Sequence, residues 1–264
     1  LLLLDFAFLV SAIGGLSIGA HEARIVYEHQ TLLHHLLELS FAIFGQNDYG
    51  LRLPFVFIHL VNAILIYALS LRLLRFRRDA LLSTLVYVML PGIASGALLV
   101  SKAGLVIFFV LLFVWLYRVA ERQRLALALL DNAFAVMFLA IFFFGLIQRD
   151  NRLWIFGLVL FGFSMYWFGF DSSGKPQGYF PDTFGVYAAI FSPLVFLYFF
   201  YAIYRILLKE EKTLLWTIVA TALFLSLLLS FRQKIRIEDF APFFVVGTPL
   251  MLRVFLSGLR VRLP

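Results

Sequence analysis

Charged residues in this chain come in short clusters, and the stretches between the clusters are long and apolar. No Asp, Glu, Lys or Arg occurs between Arg52 and Arg72, between Lys102 and Arg118, between Lys212 and Arg232, or between Asp239 and Arg253. A helix at a protein surface keeps a polar stripe towards water, whereas one that is apolar all round is buried or faces lipid. The chain is 63% hydrophobic and 14% charged, with a mean hydropathy of +0.97. Soluble domains sit near half apolar and a quarter charged. Lipid leaves two architectures, helices or a closed barrel. The runs are continuous rather than alternating, which excludes the barrel. A hydrocarbon core of about 30 Å takes about 20 apolar residues per helix, so most of the chain is used by about ten crossings. The sequence therefore predicts an all-α polytopic membrane bundle, a single transmembrane domain over residues 1–264, with no soluble domain, repeat or low-complexity segment.

The same clusters orient the bundle. Cytoplasmic loops of membrane proteins collect Lys and Arg, and Arg72, Arg75, Arg77 and Arg78 form the strongest such cluster. It follows an expected second span at 51–71, which puts the loop 21–50 outside. Further expected spans lie at 80–100, 105–117, 153–170, 186–206, 214–230 and 242–256. Residues 125–147 read either as one span or as a short outward half-helix that turns at Asp131-Asn132. With a single span, the 22 basic residues divide evenly between the two sides. With the extra turn, fifteen lie inside and seven outside, so the second topology is preferred. Residues 1–20 resemble a signal peptide in apolarity but lack a basic leader, and they read as the first span. In it Gly15 and Gly19 form a small-xxx-small pair suited to close helix packing. The net charge of +7 reflects this loop asymmetry and not nucleic-acid binding. The absence of Cys excludes disulfide and thiolate chemistry.

The first outer loop, 21–50, mixes charge, imidazole and apolar residues. Leu32, Leu33, Leu36, Leu37, Phe41 and Phe44 recur at helical spacing, with His34, His35 and Glu38 between them. This pattern predicts amphipathic interfacial helices, broken at Gly45–Gly50. His34 and His35 are adjacent, so they point to different sides of a helix and suit a shared metal poorly. No metal-ligand motif, phosphate loop or nucleophile elbow is present.

Several ordered fragments resemble one family. Glu22-Ala23-Arg24 after the first span is similar to the Asp-Glu-Ala-Arg loop of the protein O-mannosyltransferase and aminoarabinose-transferase-like family, glycosyltransferases of the C superfamily that use polyprenyl-phosphate sugars. Gly45 followed by Gly50-Leu51-Arg52-Leu53-Pro54 resembles the family's Gly…Arg-Leu-Pro at the start of the second helix. Pro91, Gly104-Leu105 and Phe108-Phe109 resemble the segment after its second acidic motif, and Lys234, Phe240 and Pro242 a Lys…Tyr…Pro near its end. The likeness is clearest over residues 15–120. His21 stands where the family has its first Asp, and Lys102 where a second outer-loop Asp is expected.

The resemblance implies transfer of a sugar, with inversion, from a polyprenyl-phosphate donor to a lipid, glycan or protein acceptor at the periplasmic face of a bacterial inner membrane. A carboxylate or imidazole removes the acceptor proton, and cations hold the departing phosphate. Glu22 is the expected base, with His21 its partner or substitute. Arg24, Lys102, Lys234 and Arg236 are the expected phosphate ligands, and Asp182 and Glu238 would orient sugar hydroxyls. The resemblance leaves open whether a divalent metal takes part. Two other classes are weighed: a non-catalytic relative that binds lipid-linked sugar or scaffolds an envelope complex, and a lipid-linked-sugar transporter. Transporters place polar residues and broken helices at the midplane, where only Asn62, Asp131 and a few small residues are available.

Overall fold

The computed structural model describes residues 1–27, 32–120, 134–168 and 179–262. Asp131 and Lys175 lie outside the described residues, and so do the side chains of His21 and Arg118. The described residues are helical, without strands. In chain order the helices are α1 (Leu2–Ile13), α2 (Ala20–Tyr27), α3 (Leu32–Phe44), α4 (Asp48–Leu73), α5 (Arg77–Met89), α6 (Pro91–Leu98) and α7 (Ala103–Ala120). They continue as α8 (Phe134–Gln148), α9 (Asn151–Phe168), α10 (Phe180–Phe191), α11 (Pro193–Lys209), α12 (Leu214–Ser230), α13 (Ala241–Val245) and α14 (Thr248–Arg262).

Among the described residues two segments, Asp48–Leu73 and Ala241–Arg260, are long and apolar enough to cross a membrane. The number rises to four if each of two bent pairs crosses as one span. Helices such as Phe134–Gln148 and Leu214–Ser230 are apolar but shorter. Helix length alone thus carries fewer crossings than composition predicts.

Four local expectations change. The first helix stops at Ile13, not at residue 20. Gly14 and Gly15 follow at once, where the entropic cost of a glycine helix is highest, so the Gly15/Gly19 pair lies outside α1. The expected span 80–100 is bent by 62° between α5 and α6. Pro91 cannot donate to the preceding turn, and it starts α6 instead. The expected span 186–206 is bent by 104° between α10 and α11. There Ser192 sits at φ 64° before Pro193. The two breaks meet: a Cβ on Gly92 would lie 2.6 Å from Ile190 Cγ2.

The fourth change concerns Pro54. Helix α4 begins at Asp48, capped by Asn47 Oδ1 accepting from the Gly50 N–H at 2.7 Å. Pro54 therefore lies past the first turn, where its missing N–H frees the carbonyl four residues back. That carbonyl belongs to Gly50, and the buried Ser40 hydroxyl of α3 donates to it at 2.5 Å. The proline thereby makes the acceptor that pins the interfacial helix to the bundle.

Arg52 and Arg72 lie twenty residues apart on α4, about 30 Å at the helical rise, the thickness of a hydrocarbon core. The contacts of the chain sort to these two ends. At the Arg72 end, Arg260 donates to Asp79 at 2.6 Å, and Arg253 pairs with Glu210. Gln148, beside the Arg149–Asp150 turn, shares a cavity there with Glu210, Glu211 and Lys212. At the Arg52 end, Tyr179 N–H donates to the Ser230 carbonyl at 3.0 Å, and Phe180 stacks on Phe231. Between the ends lies an aromatic core. Phe191, Phe196, Phe199 and Phe244 are buried with ring centroids 4.5–6.4 Å apart.

Candidate functional site at the Arg52 end

Arg52 is fully buried, a charge at the end of an otherwise apolar run. Such a residue persists only with partners. Its Nη1 donates to the Leu98 carbonyl at 2.6 Å, and its Nη2 donates to the Ser17 carbonyl at 3.0 Å and to Glu22 Oε2 at 3.2 Å. Glu22, 4% exposed, also accepts from the Gly19 N–H through Oε2 at 3.0 Å and from the Val100 N–H through Oε1 at 3.1 Å. Each backbone group in this set lies where a helix has stopped: Ser17 and Gly19 after α1, Leu98 and Val100 at the end of α6. A broken helix near lipid leaves polar groups that need partners. The Arg52–Glu22 pair supplies them for both segments at once.

The set extends towards the last loop. Two residues beyond Val100, Lys102 Nζ lies 2.6 Å from Asp239 Oδ1, both side chains partly exposed. Asp239 ends the short 3₁₀ turn Ile237–Asp239. Glu22, the turn 98–102 and residues 237–239 are thus joined by successive contacts at one end of the bundle. Lys234, Arg236 and Glu238 lie exposed on the same last loop, Arg24 is exposed on α2, and Asp182 is exposed in the first turn of α10. The hydrogen bonds of Glu22 described above go to Arg52, Gly19 and Val100. His21 lies beside Glu22 in α2.

Above this end lies α3. His35 Nδ1 is 3.3 Å from Glu38, and His34 Nε2 is 3.3 Å from it on the other side. The hydrogen bond from His35 holds the Glu38 carboxyl below the usual range, with the neighbouring His34 adding to the effect. Leu39 and Ile43 on α3 are more than half exposed, while Leu37 is buried against Leu51, Phe55 and Val100. Among the described residues no three His, Asp or Glu side chains gather as a metal site.

Three functional-type groups escaped the sequence reading. Arg52 was read only as part of a helix-start motif, although a charge inside an apolar run already demands a partner. Asp5 and His59 form a second pair, His59 Nε2 to Asp5 Oδ2 at 2.8 Å, with the His59 ring stacked on Tyr87. Asp5 stands alone among apolar residues in α1, which was the signal available. Asp239, the partner of Lys102, is one of several carboxylates in its loop, and nothing in the sequence distinguishes it.

Residues 28–147 match the family model described as dolichyl-phosphate-mannose-protein mannosyltransferase. The matched region is a little under half of the chain and contains Arg52, the turn 98–102 and Lys102. It supports a likeness to the C superfamily of glycosyltransferases, whose members are membrane enzymes. No curated protein and no solved structure matches.

Proposed function

We propose that this chain is a membrane glycosyltransferase of about ten crossings, whose donor is a sugar on polyprenyl phosphate and whose site is the Arg52 end. The observation that carries this reading is the junction of Glu22 with the 98–102 turn. The region similar to the family spans Arg52 and Lys102, and the Arg52–Glu22 contact ties to it an acidic residue from outside that region. The positive-inside asymmetry supports a periplasmic site in a bacterial inner membrane.

The contacts also support a division of roles. Both Glu22 oxygens accept hydrogen bonds from within the chain, so Glu22 positions the segment that carries its neighbour. His21 takes the proton of the acceptor hydroxyl or amine. The acceptor then bonds to the anomeric carbon as the bond to phosphate oxygen breaks, and the phosphate leaves with that electron pair. Lys102, oriented by Asp239, meets the growing phosphate charge. Lys234, Arg236 and Arg24 are further phosphate ligands, and Asp182 and Glu238 orient the sugar hydroxyls.

Reconstituted protein supplied with a labelled polyprenyl-phosphate sugar tests this. His21→Ala should slow transfer on the order of 10²–10⁴-fold, the usual worth of a positioned base, with unchanged thermal stability. Transfer at the original rate by both folded His21→Ala and Lys102→Ala removes the assignment. A second reading rests on the same contacts: with Glu22 held and Lys102 neutralised by Asp239, the site binds lipid-linked sugar without turning it over. It predicts saturable donor binding, weakened by Lys102→Ala, and no transfer by the unaltered protein.

A further inference from the structure

The end of the molecule opposite Arg52 carries a groove that the transfer reaction does not use. It lies between α11 and α14, encloses about 620 Å³, and is lined by Tyr198, Tyr201, Tyr204, Arg205, Lys209 and Phe255, with Gly258 at its floor. Arg205 and Lys209 are one turn apart on α11 and so share a face. The tyrosines continue that face towards the middle of the bundle. On α14 Gly258 lies against the guanidinium: a Cβ there would be in ordinary contact, 3.6 Å from Arg205 Nη1.

Two neighbouring cations are matched: Arg253 pairs with Glu210, and Arg260 with Asp79. Among the described residues no carboxylate lines the groove, and Glu211 lines a different cavity, with Lys212 and Gln148. Among the described residues neither Arg205 nor Lys209 has an ion-pair partner. Two cations at the mouth therefore stand over an apolar, aromatic trough. Tyr201 is 48% exposed, Tyr204 54% and Leu208 60%, an apolar surface that water covers at a cost. Tyrosine with its ring in lipid and its hydroxyl at headgroup level is the usual interfacial arrangement. Eleven residues separate Tyr198 from Lys209, about 16 Å of helix. That is longer than a phosphate headgroup and suits an acyl chain lying along the trough.

We propose that this groove binds an anionic membrane phospholipid, its phosphate between Arg205 and Lys209 and one acyl chain along Tyr198, Tyr201 and Phe255. Basic pockets between helices at the cytoplasmic side of membrane proteins hold such headgroups. The occupant is a diacyl lipid rather than a free phosphate, because two cations alone leave the aromatic trough exposed. The site is separate from the proposed transfer site and stands whether or not that reading does.

The test uses the full chain purified in a neutral detergent, with phosphatidylglycerol, phosphatidylcholine or glycerol 3-phosphate added. Bound lipid is counted by native mass spectrometry, and thermal stability is followed in parallel. Phosphatidylglycerol should bind at one saturable site and raise the melting temperature, phosphatidylcholine should bind far more weakly, and glycerol 3-phosphate should do neither. Arg205→Gln with Lys209→Gln should weaken phosphatidylglycerol roughly thirtyfold, about fivefold for each cation near a membrane surface. Gly258→Leu fills the trough while keeping both cations, and it should abolish binding. Arg205→Lys with Lys209→Arg, which keeps both charges and leaves Gly258 in place, should bind phosphatidylglycerol as the unaltered protein does. Equal binding of the two lipids, an equal effect of glycerol 3-phosphate, or full phosphatidylglycerol binding by folded Gly258→Leu overturns the proposal.

Discussion

A single buried charge pair holds the proposed site, and the physics of burial decides what its loss would do. Removing one partner of a buried ion pair leaves the other uncompensated, which costs about 3–5 kcal/mol. Arg52 also satisfies the Ser17 and Leu98 carbonyls, so its loss strands backbone as well as charge. Arg52→Met should therefore destabilise more than Glu22→Gln. The double variant should fall short of the sum by about 1–3 kcal/mol, as expected for residues in one network. Denaturation of the purified single and double variants measures this coupling. Additivity within about 0.5 kcal/mol, the behaviour of independent sites, would show that the pair does not act as a unit. Asp5 and His59 are each other's hydrogen-bond partner, His59 buried and Asp5 nearly so, so α1 is tied to α4 by this bond as well as by packing.

Among the elements, the breaks in helices do more than the helices themselves. Pro54 frees the Gly50 carbonyl, and Ser40 takes it, so α3 is attached through a defect in α4. Gly50 must also stay small, since a Cβ there would lie 2.1 Å from the Gly45 carbonyl oxygen. Ser40→Ala leaves the buried carbonyl without a donor and should cost about 1–3 kcal/mol. Pro54→Ala returns an N–H to that carbonyl, so Ser40→Ala should cost much less in its presence. Thermal melts of the four proteins decide it, and an equal cost in both backgrounds would mean that the hydroxyl bond is not what attaches α3. The α8–α9 hairpin shows a second device. Gly145 packs on the backbone of Trp154 and Gly157 on that of Phe142, where a Cβ would lie within 2.4 and 2.5 Å of main-chain nitrogen. Small residues of this kind let helices approach in lipid, where no hydrophobic force draws them together.

At the scale of the whole molecule, two charged ends face opposite ways. One gathers Arg72–Asp79, Glu210, Arg253 and Arg260, and the other Glu22, Arg52, Lys102 and Asp239. The chain contains no Cys, so single substitutions give clean reporters. Glu211→Cys in sealed, right-side-out vesicles should resist a membrane-impermeant maleimide until the vesicles are opened. Gln233→Cys should react at once. Labelling of both from the same side would contradict the proposed orientation and with it the periplasmic placing of the site. The proposed lipid groove belongs to the Glu211 side, so the same pair of reporters assigns it to a leaflet.

Charge spacing and apolar run length, read alone, already determined that the chain is helical, with apolar segments suited to a membrane. They also predict Glu22 and Lys102 on one side, because these properties depend only on which residues lipid excludes and which it admits. Where helices break was legible only in part. Pro91 and Gly14-Gly15 carry a local signal that run length alone passes over, whereas Ser192 carries none of its own, since a serine at positive φ is held there by its surroundings. Partnership was the least legible of all. Nothing local says that Arg52 reaches Glu22, thirty residues earlier, or that Lys102 finds Asp239. Those choices belong to the folded bundle, where a buried charge settles on whichever acceptors the ends of other helices leave open.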